Sequence, residues 1–424
     1  MRVFLSCLVC RIVTFVLHKL GRGATSMPGK VALKVKRNVL KDLSENTKVI
    51  VVTGTNGKTT SCRILEEGLK KAGKSYFINK SGANLITGVT ASFIMNSTIM
   101  GKCKKDYAII ECDENAFKEV SRYIHCDVIL VTNVFRDQLD RYGEVTHTLN
   151  AIKESVKNLP NAIVCLDADC SLTYSMSKEI PNKIITFGVN VPFDKNAKAP
   201  EISDAKYCIF CKHEYDYTYH TYGHLGGFVC PNCGYKRPQP DFAVESVEEM
   251  KNDHSVVVAN FNGDRNIIRV NIGGAYNIYN AIGCAAALTA FGIDEKTVID
   301  AIEHFNGAFG RMEHFKAGDN TVNLILVKNP AGFSQTMNFL KNIDDDFTLI
   351  LSLNDNAADG RDISWIWDVD FAGIFEKANV KEIYVTGKRC YDMAVRVKYE
   401  GVGNREIKII ENEDYNKLVD IATS

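Results

Sequence analysis

Hydrophobic residues in this chain fall into short runs set apart by helical patterns. Residues 48–53 (KVIVVT), 107–111 (YAIIE), 128–132 (VILVT) and 162–166 (AIVCL) are nearly unbroken apolar stretches rich in β-branched side chains. That is the pattern of strands buried on both faces. Between them the apolar positions recur at helical spacing, as in residues 61–71, where Ile64, Leu65 and Leu69 share one face. Strands alternating with helices predict an α/β fold with a mainly parallel sheet. Near Ala199 the pattern changes: residues 201–240 hold tyrosines, histidines and paired cysteines with little helical periodicity, as in a small metal-bound insert. Strands are predicted again at 255–259 and 267–270, then an alanine-rich packed helix at 277–290. A second α/β unit begins near Glu313, with strands at 322–327, 348–353 and 382–386 and a helical pattern at 414–422. The expected organisation is an N-terminal helical segment (1–47), a central domain (48–310, insert at about 201–240) and a C-terminal domain (311–424).

The N-terminal segment is ambiguous. Residues 3–17 are strongly apolar, but Arg11 interrupts them and His18 and Lys19 follow. A helix packed on the body of the protein and a helix touching a membrane surface both fit. A cleaved signal fits less well, because the segment lacks a leading basic stretch and an unbroken apolar core.

Composition narrows the field. The 424 residues are 46% hydrophobic, which excludes a largely disordered chain. With 51 Lys+Arg against 51 Asp+Glu the formal charge is zero, which argues against a general nucleic-acid binder. No run of about 18 uncharged apolar residues marks a membrane span. The fourteen cysteines are spaced too irregularly for a secreted disulfide framework, so a cytoplasmic protein is expected, in contact at most with the inner face of the membrane.

Two motifs carry chemistry. Gly54-Thr55-Asn56-Gly57-Lys58-Thr59-Thr60 follows an apolar run and precedes a helical one. Such a loop aims backbone N–H groups at phosphate oxygens, with the helix N-terminus favouring negative charge. Lys58 can reach the β- and γ-phosphates of ATP, and Thr59 can hold Mg2+. Val52 stands where the usual pattern has its first glycine. The second motif is Cys208-x2-Cys211, then eighteen residues, then Cys230-x2-Cys233. Four thiolates on two tight turns make the closed tetrahedral site preferred by structural Zn2+. Gly234 suits the backbone turn after the second pair. His213, His220 and His224 lie between the pairs and are expected on the surface, since four thiolates complete the shell.

Several segments together resemble the Mur ligases. These are GTNGKTT, Thr132-Asn133 with the block Asp137 to Gly143, Asn277 and Asn280 in YNIYNAIGCAAAL, and Gly310-Arg311-Met312-Glu313. A narrower resemblance, to the MurT-like subunits of that family, rests on GAN at 82–84, FRDQLDRYGE, KNPAGF and DNAADGRDISWIWD at 355–368. It implies a Mur ligase-like central P-loop ATPase domain with a zinc-ribbon insert and a C-terminal α/β domain. The implied activity is ATP-dependent amidation of the D-glutamate α-carboxylate in the lipid II stem peptide, through an acyl phosphate. The implied partner is a GatD-like class I glutaminase subunit that supplies ammonia.

The resemblance also assigns residues. It places Mg2+ on Thr59 and Glu111, and the nucleotide on Gly54 to Thr60, Asn277, Asn280 and Arg311. An Asp of the 355–368 block completes the partner's Cys-His triad; a strand end holds a carboxylate rigidly, which favours Asp355 over Asp362 and Asp359. Trp365 and Trp367, the only tryptophans, fit either a core or a docking surface. For Asp113 and Glu114, solvated loop charges and a site role stand level. Lys153, near where several Mur ligases carry a carbamylated lysine, reads as a helix-surface residue, and Gln138 replaces a metal-binding His of many family members. MurT-like chains usually run a little beyond the position of Ser424. Two rivals remain open: a self-sufficient Mur-type or folylpolyglutamate-type amino-acid ligase, and a nucleotide-regulated zinc-ribbon scaffold.

Overall fold

The computed structural model describes residues 1–21, 26–79, 82–136, 145–193, 204–251, 253–305, 312–341, 343, 345–356, 359–369, 371, 373–377, 379–411 and 414–423. It divides into two units: Met1–Val134 with Thr146–Asn306, and Phe135–Val145 with Gly307–Ser424.

The first unit opens with three helices, α1 (Arg2–Lys19), α2 (Met27–Val35) and α3 (Val39–Ser44). A nine-stranded sheet follows. In chain order its strands are β1 (Lys48–Thr53), β2 (Tyr76–Ile78), β3 (Tyr107–Glu111), β4 (Val128–Val131), β5 (Ile163–Asp167), β6 (Ile184–Val189), β9 (Phe242–Met250), β10 (Ser255–Phe261) and β11 (Asp264–Val270), with the insert strands β7 (Asp216–His220) and β8 (Gly226–Val229) paired only with each other. In space the sheet runs β11-β10-β9-β6-β5-β4-β1-β3-β2. Pairing is parallel from β2 through β9, and β10 and β11 close one edge antiparallel.

The sequence reading and the observed strands agree residue for residue at β1 and β3. β2, β6 and β9 were not apparent in the pattern. β1 lies inside the sheet, and Val49 to Val52 are fully buried. Helices α4 (Lys58–Lys71), α5 (Ile86–Met95) and α6 (Glu114–Val120) and the helix Ala275–Ala290 follow the sequence's helical stretches. The alanine-rich Ala275–Ala290 is buried along most of its length, because small side chains let it lie close to α4 and β6. Strand order reverses around β1, since β3 and β2 lie to one side and β4 to the other. In open α/β sheets, the crevice beyond the strand ends at such a point is where ligands bind.

The second unit carries the hairpin β12 (Met312–Ala317) and β13 (Asn320–Ile325) and a three-stranded parallel sheet, β14 (Phe347–Ser352), β15 (Val380–Thr386) and β16 (Ile407–Ile409). Its core gathers Phe333, Met337, Ile366, Phe371, Ile383 and Val397 around that sheet.

Candidate functional site

The phosphate loop runs from the end of β1 into α4. Gly57 has φ +85°, and a Cβ built there would lie 2.1 Å from Asn280 Oδ1. Gly54, at φ +117°, would meet Thr132 Oγ1 at 2.4 Å. Only glycine fits either place, so the backbone forms a cradle that any side chain would fill. Gly57 caps α4 without a side-chain hydrogen bond, which leaves backbone N–H groups for an anion.

Thr132 and Asn133 hold the loop in shape. Thr55 N donates to Asn133 O (2.9 Å), Asn56 N to Asn133 Oδ1 (3.0 Å), and Thr132 Oγ1 to Asn56 O (2.7 Å). Their place just beyond β4 explains why a TN pair accompanies this loop.

Lys58 is buried, and its ammonium donates to Glu114 Oε1 at 2.7 Å and to the carbonyls of Gly54 and Thr55. Glu114 is itself only 3% exposed. The sequence left Glu114 level between solvent and site; the structure makes it the counter-ion of the loop lysine. Its neighbour Asp113 caps α6, accepting from Asn115 N and Ala116 N. Glu111 ends β3 with Oε1 3.2 Å from Thr59 Oγ1. Asn79 fixes that strand end by accepting from Glu111 N (2.8 Å) and donating to Glu111 O and Ala83 O. Thr59 and Glu111 therefore share one spot beside the cradle, an oxygen pair suited to a hard divalent cation.

Asn277 and Asn280 form a buried ladder: Asn280 Nδ2 donates to Asn277 Oδ1 (3.0 Å), and Asn277 Nδ2 to Gly273 O (2.6 Å). Asn280 sits against Gly57. Thr60 is buried in the first turn of α4. Arg311 and the block Asp137 to Gly143, Gln138 included, lie outside the described residues. Lys153 is tied to Glu179 at 2.9 Å, as suits a helix-surface lysine. Cys62, Cys112 and Cys284, next to the loop, are buried, and burial pushes their thiols far above the ordinary range.

In the insert the sulfurs of Cys208, Cys211, Cys230 and Cys233 all lie within 4.8 Å of one another. Two matching knuckles bring them together. Cys208 N donates to His213 O and Cys230 N to Tyr235 O, and the residue after each pair, Lys212 or Gly234, adopts positive φ (63° and 74°). A hydrogen bond from the Asn232 side chain, helped by the backbone at His213, pulls the Cys211 thiol down to about 6. Four convergent sulfurs on paired turns fit a structural Zn2+.

The insert is fastened to the sheet. Arg237 pairs with buried Asp169 at 2.6 Å, and Tyr235 Oη donates to Ser171 O at 2.7 Å. His213 is exposed, as expected. His224 is not: it is 1% exposed, with Nε2 3.3 Å from Cys170 Sγ, and burial pulls its pKa down to about 4. The turn that carries it plugs the insert against the sheet, so it is a neutral packing residue.

In the second unit Asp355 lies just beyond β14, its side chain one-third exposed, with Oδ2 3.5 Å from Arg389 Nη1. The loop after β15 braces this strand end, because Arg389 N donates to Leu353 O and Lys388 N to Asn354 Oδ1. Of its neighbours, Asp359 accepts from Asn356, Asp362 from Ser364 N, and Asp368 pairs with Arg136 at 3.0 Å. The two tryptophans divide. Trp365 is packed against Phe333, whereas Trp367 is 48% exposed, edge-on to Tyr399 with the Arg396 guanidinium over its ring.

Comparison with known proteins gives one answer along the whole chain. Residues 52–233 match the Mur ligase middle domain, and residues 326–424 match the MurT ligase C-terminal domain. The chain is 35% identical to the MurT subunit of lipid II isoglutaminyl synthase (glutamine-hydrolyzing) from Streptococcus pneumoniae, over all of this chain and 95% of that one. It is 33% identical to the MurT subunit from Staphylococcus aureus strain N315, over 94% of this chain and 87% of that one. Among solved structures, MurF from Acinetobacter baumannii superposes with TM-score 0.67 at 15% identity, over 92% of this chain and 74% of that one. A pseudomurein peptide ligase type C from Methanothermus fervidus gives TM-score 0.65 at 22% identity, over 87% and 68%. At those identities the structures speak for the fold alone, while the full-length relatives speak for descent: the chain belongs to the MurT family of Mur ligase-like, ATP-dependent ligases.

Proposed function

We propose that this chain is the ligase subunit of a lipid II isoglutaminyl synthase. The observation that carries the reading is a pairing: a glycine cradle for phosphates in the first unit, and in a MurT-type second unit a braced strand-end carboxylate, Asp355, one-third exposed and paired through Oδ2 with Arg389 among the described residues.

In the first step a carboxylate oxygen of the stem-peptide D-glutamate attacks the γ-phosphorus of ATP. The bond from that phosphorus to the β-phosphate oxygen breaks, and ADP leaves behind an acyl phosphate. Ammonia then adds to the acyl carbon, phosphate departs with the former carboxylate oxygen, and the nitrogen loses a proton to give D-isoglutamine. The chain's part is positioning and charge neutralisation. N–H groups of Gly57 to Thr60 would cradle the phosphates, Lys58 would meet the β/γ charge, and Asn277 and Asn280 would hold the nucleotide, to which the family resemblance also assigns Arg311. Mg2+ held by Thr59 and Glu111 would neutralise the phosphate oxygens. Zn2+ on the four cysteines would keep the insert folded.

The nitrogen donor in this reading is a partner subunit, a class I glutaminase, in keeping with relatives named as the MurT subunit of a glutamine-hydrolyzing synthase. Its Cys-His pair would be completed by Asp355 acting in trans. The reaction takes place in the cytoplasm, on a lipid-linked acceptor.

The test compares nitrogen sources with the purified chain, ATP and acceptor. Ammonium should support acceptor-dependent ADP release and a product about one mass unit lighter than the acid, the difference between an amide and a carboxylic acid. Turnover with a free amino acid in place of ammonium would instead establish the self-sufficient ligase.

A further inference from the structure

Helix α1 is built inside out. The face it buries against α2 and α5 is made of small or polar residues, Ser6, Cys7, Cys10 and Thr14. Ser6 Oγ donates to Ala32 O, and Arg11 reaches from the helix flank to the carbonyls of Ile94 and Ser97 at the end of α5. The large apolar residues point the other way. Leu5, Ile12, Phe15 and Val16 are 45%, 52%, 61% and 46% exposed, and Phe4 lies in the same sector. At about 100° per residue these five positions fall within roughly one third of the helix circumference, and only Lys19 brings a charge into that sector. A stripe of large apolar residues normally packs into a core or meets lipid, yet this one faces outward. The turn after α5 extends the surface: Met95 and Met100 are exposed, and Gly101 of that turn lies against Val3.

Charge accompanies the apolar face. Nine Lys or Arg and no acidic residue precede Asp42, in a chain that is neutral as a whole. Arg2, Lys19, Lys30 and Lys34 on α1 and α2 are exposed. No helix among the described residues is long and apolar enough to cross a membrane. A helix that presents an apolar stripe, with exposed basic residues on it and on its neighbour, can lie in the headgroup region of an anionic bilayer with that stripe at the acyl boundary.

We propose that the outer face of α1 docks this protein on the surface of an anionic phospholipid membrane. The choice of a bilayer as occupant rests on the reading of the acceptor as lipid-linked; the face and its charge do not. Docking would hold the cradle near a substrate confined to two dimensions, and α1 and α2 would bind acidic headgroups without choosing among substrates.

The experiment is flotation of the full chain with vesicles of phosphatidylglycerol and phosphatidylcholine, and with pure phosphatidylcholine, at low and high salt. Wild type should float with the anionic vesicles, and its partition coefficient should fall at least about tenfold when salt is raised or the anionic lipid omitted. Ile12→Glu/Phe15→Glu places charge at two exposed positions and should lower partition at least about tenfold with the melting temperature unchanged. If that variant proves unstable, Ile12→Trp decides instead, by a blue shift of the added indole's emission when anionic vesicles are present. Failure of wild type to float, equal partition of the double variant, or an unshifted emission from the Ile12→Trp protein overturns the proposal. So does a wild-type dimer that Ile12→Glu/Phe15→Glu dissociates, because the face then belongs to a second copy. The vesicles carry no acceptor, so a negative result removes the docking surface and leaves the amidation reading standing. Loss of amidation in the ammonium assay would do the reverse.

Discussion

Asp355→Asn is expected to abolish glutamine-driven amidation in the complex while leaving ammonium-driven amidation near wild type. The substitution keeps the size of the side chain but removes the charge that, in the proposed role, would orient and stabilise the partner's histidine. Loss of the acid in a triad costs on the order of 10⁴-fold in the best-studied protease. Stability should hardly change, because the pair with Arg389 is long and one-third exposed, and such pairs contribute about 0–1 kcal/mol. Assembly should survive too, since one side chain of equal volume seldom decides an interface. The check measures glutamine hydrolysis and ammonium-driven amidation on the same mutant complex. If both fall together, Asp355 belongs to the ligase site; if neither falls, Asp362 or Asp359 is the better candidate.

Lys58→Ala has two expected effects, and the structure separates them. Removing the ammonium from the phosphate site should lower acceptor-dependent ATP turnover by roughly 10³-fold or more, the scale for losing a charge-neutralising group in phosphoryl transfer. It should also destabilise the protein, which the sequence alone gave no reason to expect. Glu114, 2.7 Å away and buried, would lose its counter-ion, and breaking such a pair from one side costs about 3–5 kcal/mol. Lys58→Ala/Glu114→Gln removes both charges, so it should recover most of the lost stability and none of the turnover. Thermal melts beside single-turnover assays make the check. Recovery of turnover in the double variant would show that Lys58 acts by satisfying Glu114 and not by meeting phosphate.

The contrast between Glu114 and Glu111 shows what was legible in the sequence. Glu111 ends an apolar strand beside the loop strand, and the parallel register of β1 on β3 sets it opposite Val52. Its strand-end place was legible in the sequence, while its role came from the family resemblance; the structure sets it 3.2 Å from Thr59 Oγ1. Glu114 sits in the acidic pair Asp113-Glu114, for which solvent and a site role stand level in the sequence, and only the direction of α6, fixed by the Asp113 cap, turns it onto Lys58. The four cysteines were legible because ligand spacing is local; the burial of His224 was not, because it depends on how the insert docks on Cys170 and Asp169. Strands β1 and β3 were plain from their unbroken apolar runs. β2 has three residues and draws its stability from β3, a partner some thirty residues away. The orientation of α1 was hidden for a related reason: large apolar residues lie on several sides of it, so which side packs is not evident until its small residues meet α2 and α5.

The central claim is that ATP activates the acceptor's carboxylate so that ammonia can displace phosphate. It is tested most directly by following oxygen. Acceptor labelled with ¹⁸O in the D-glutamate α-carboxylate, incubated with ATP, ammonium and the purified chain, should yield inorganic phosphate carrying a single ¹⁸O and an amide that retains the other label. Unlabelled phosphate released alongside amide product, or label recovered in AMP, would contradict an acyl phosphate and the assignment built on it.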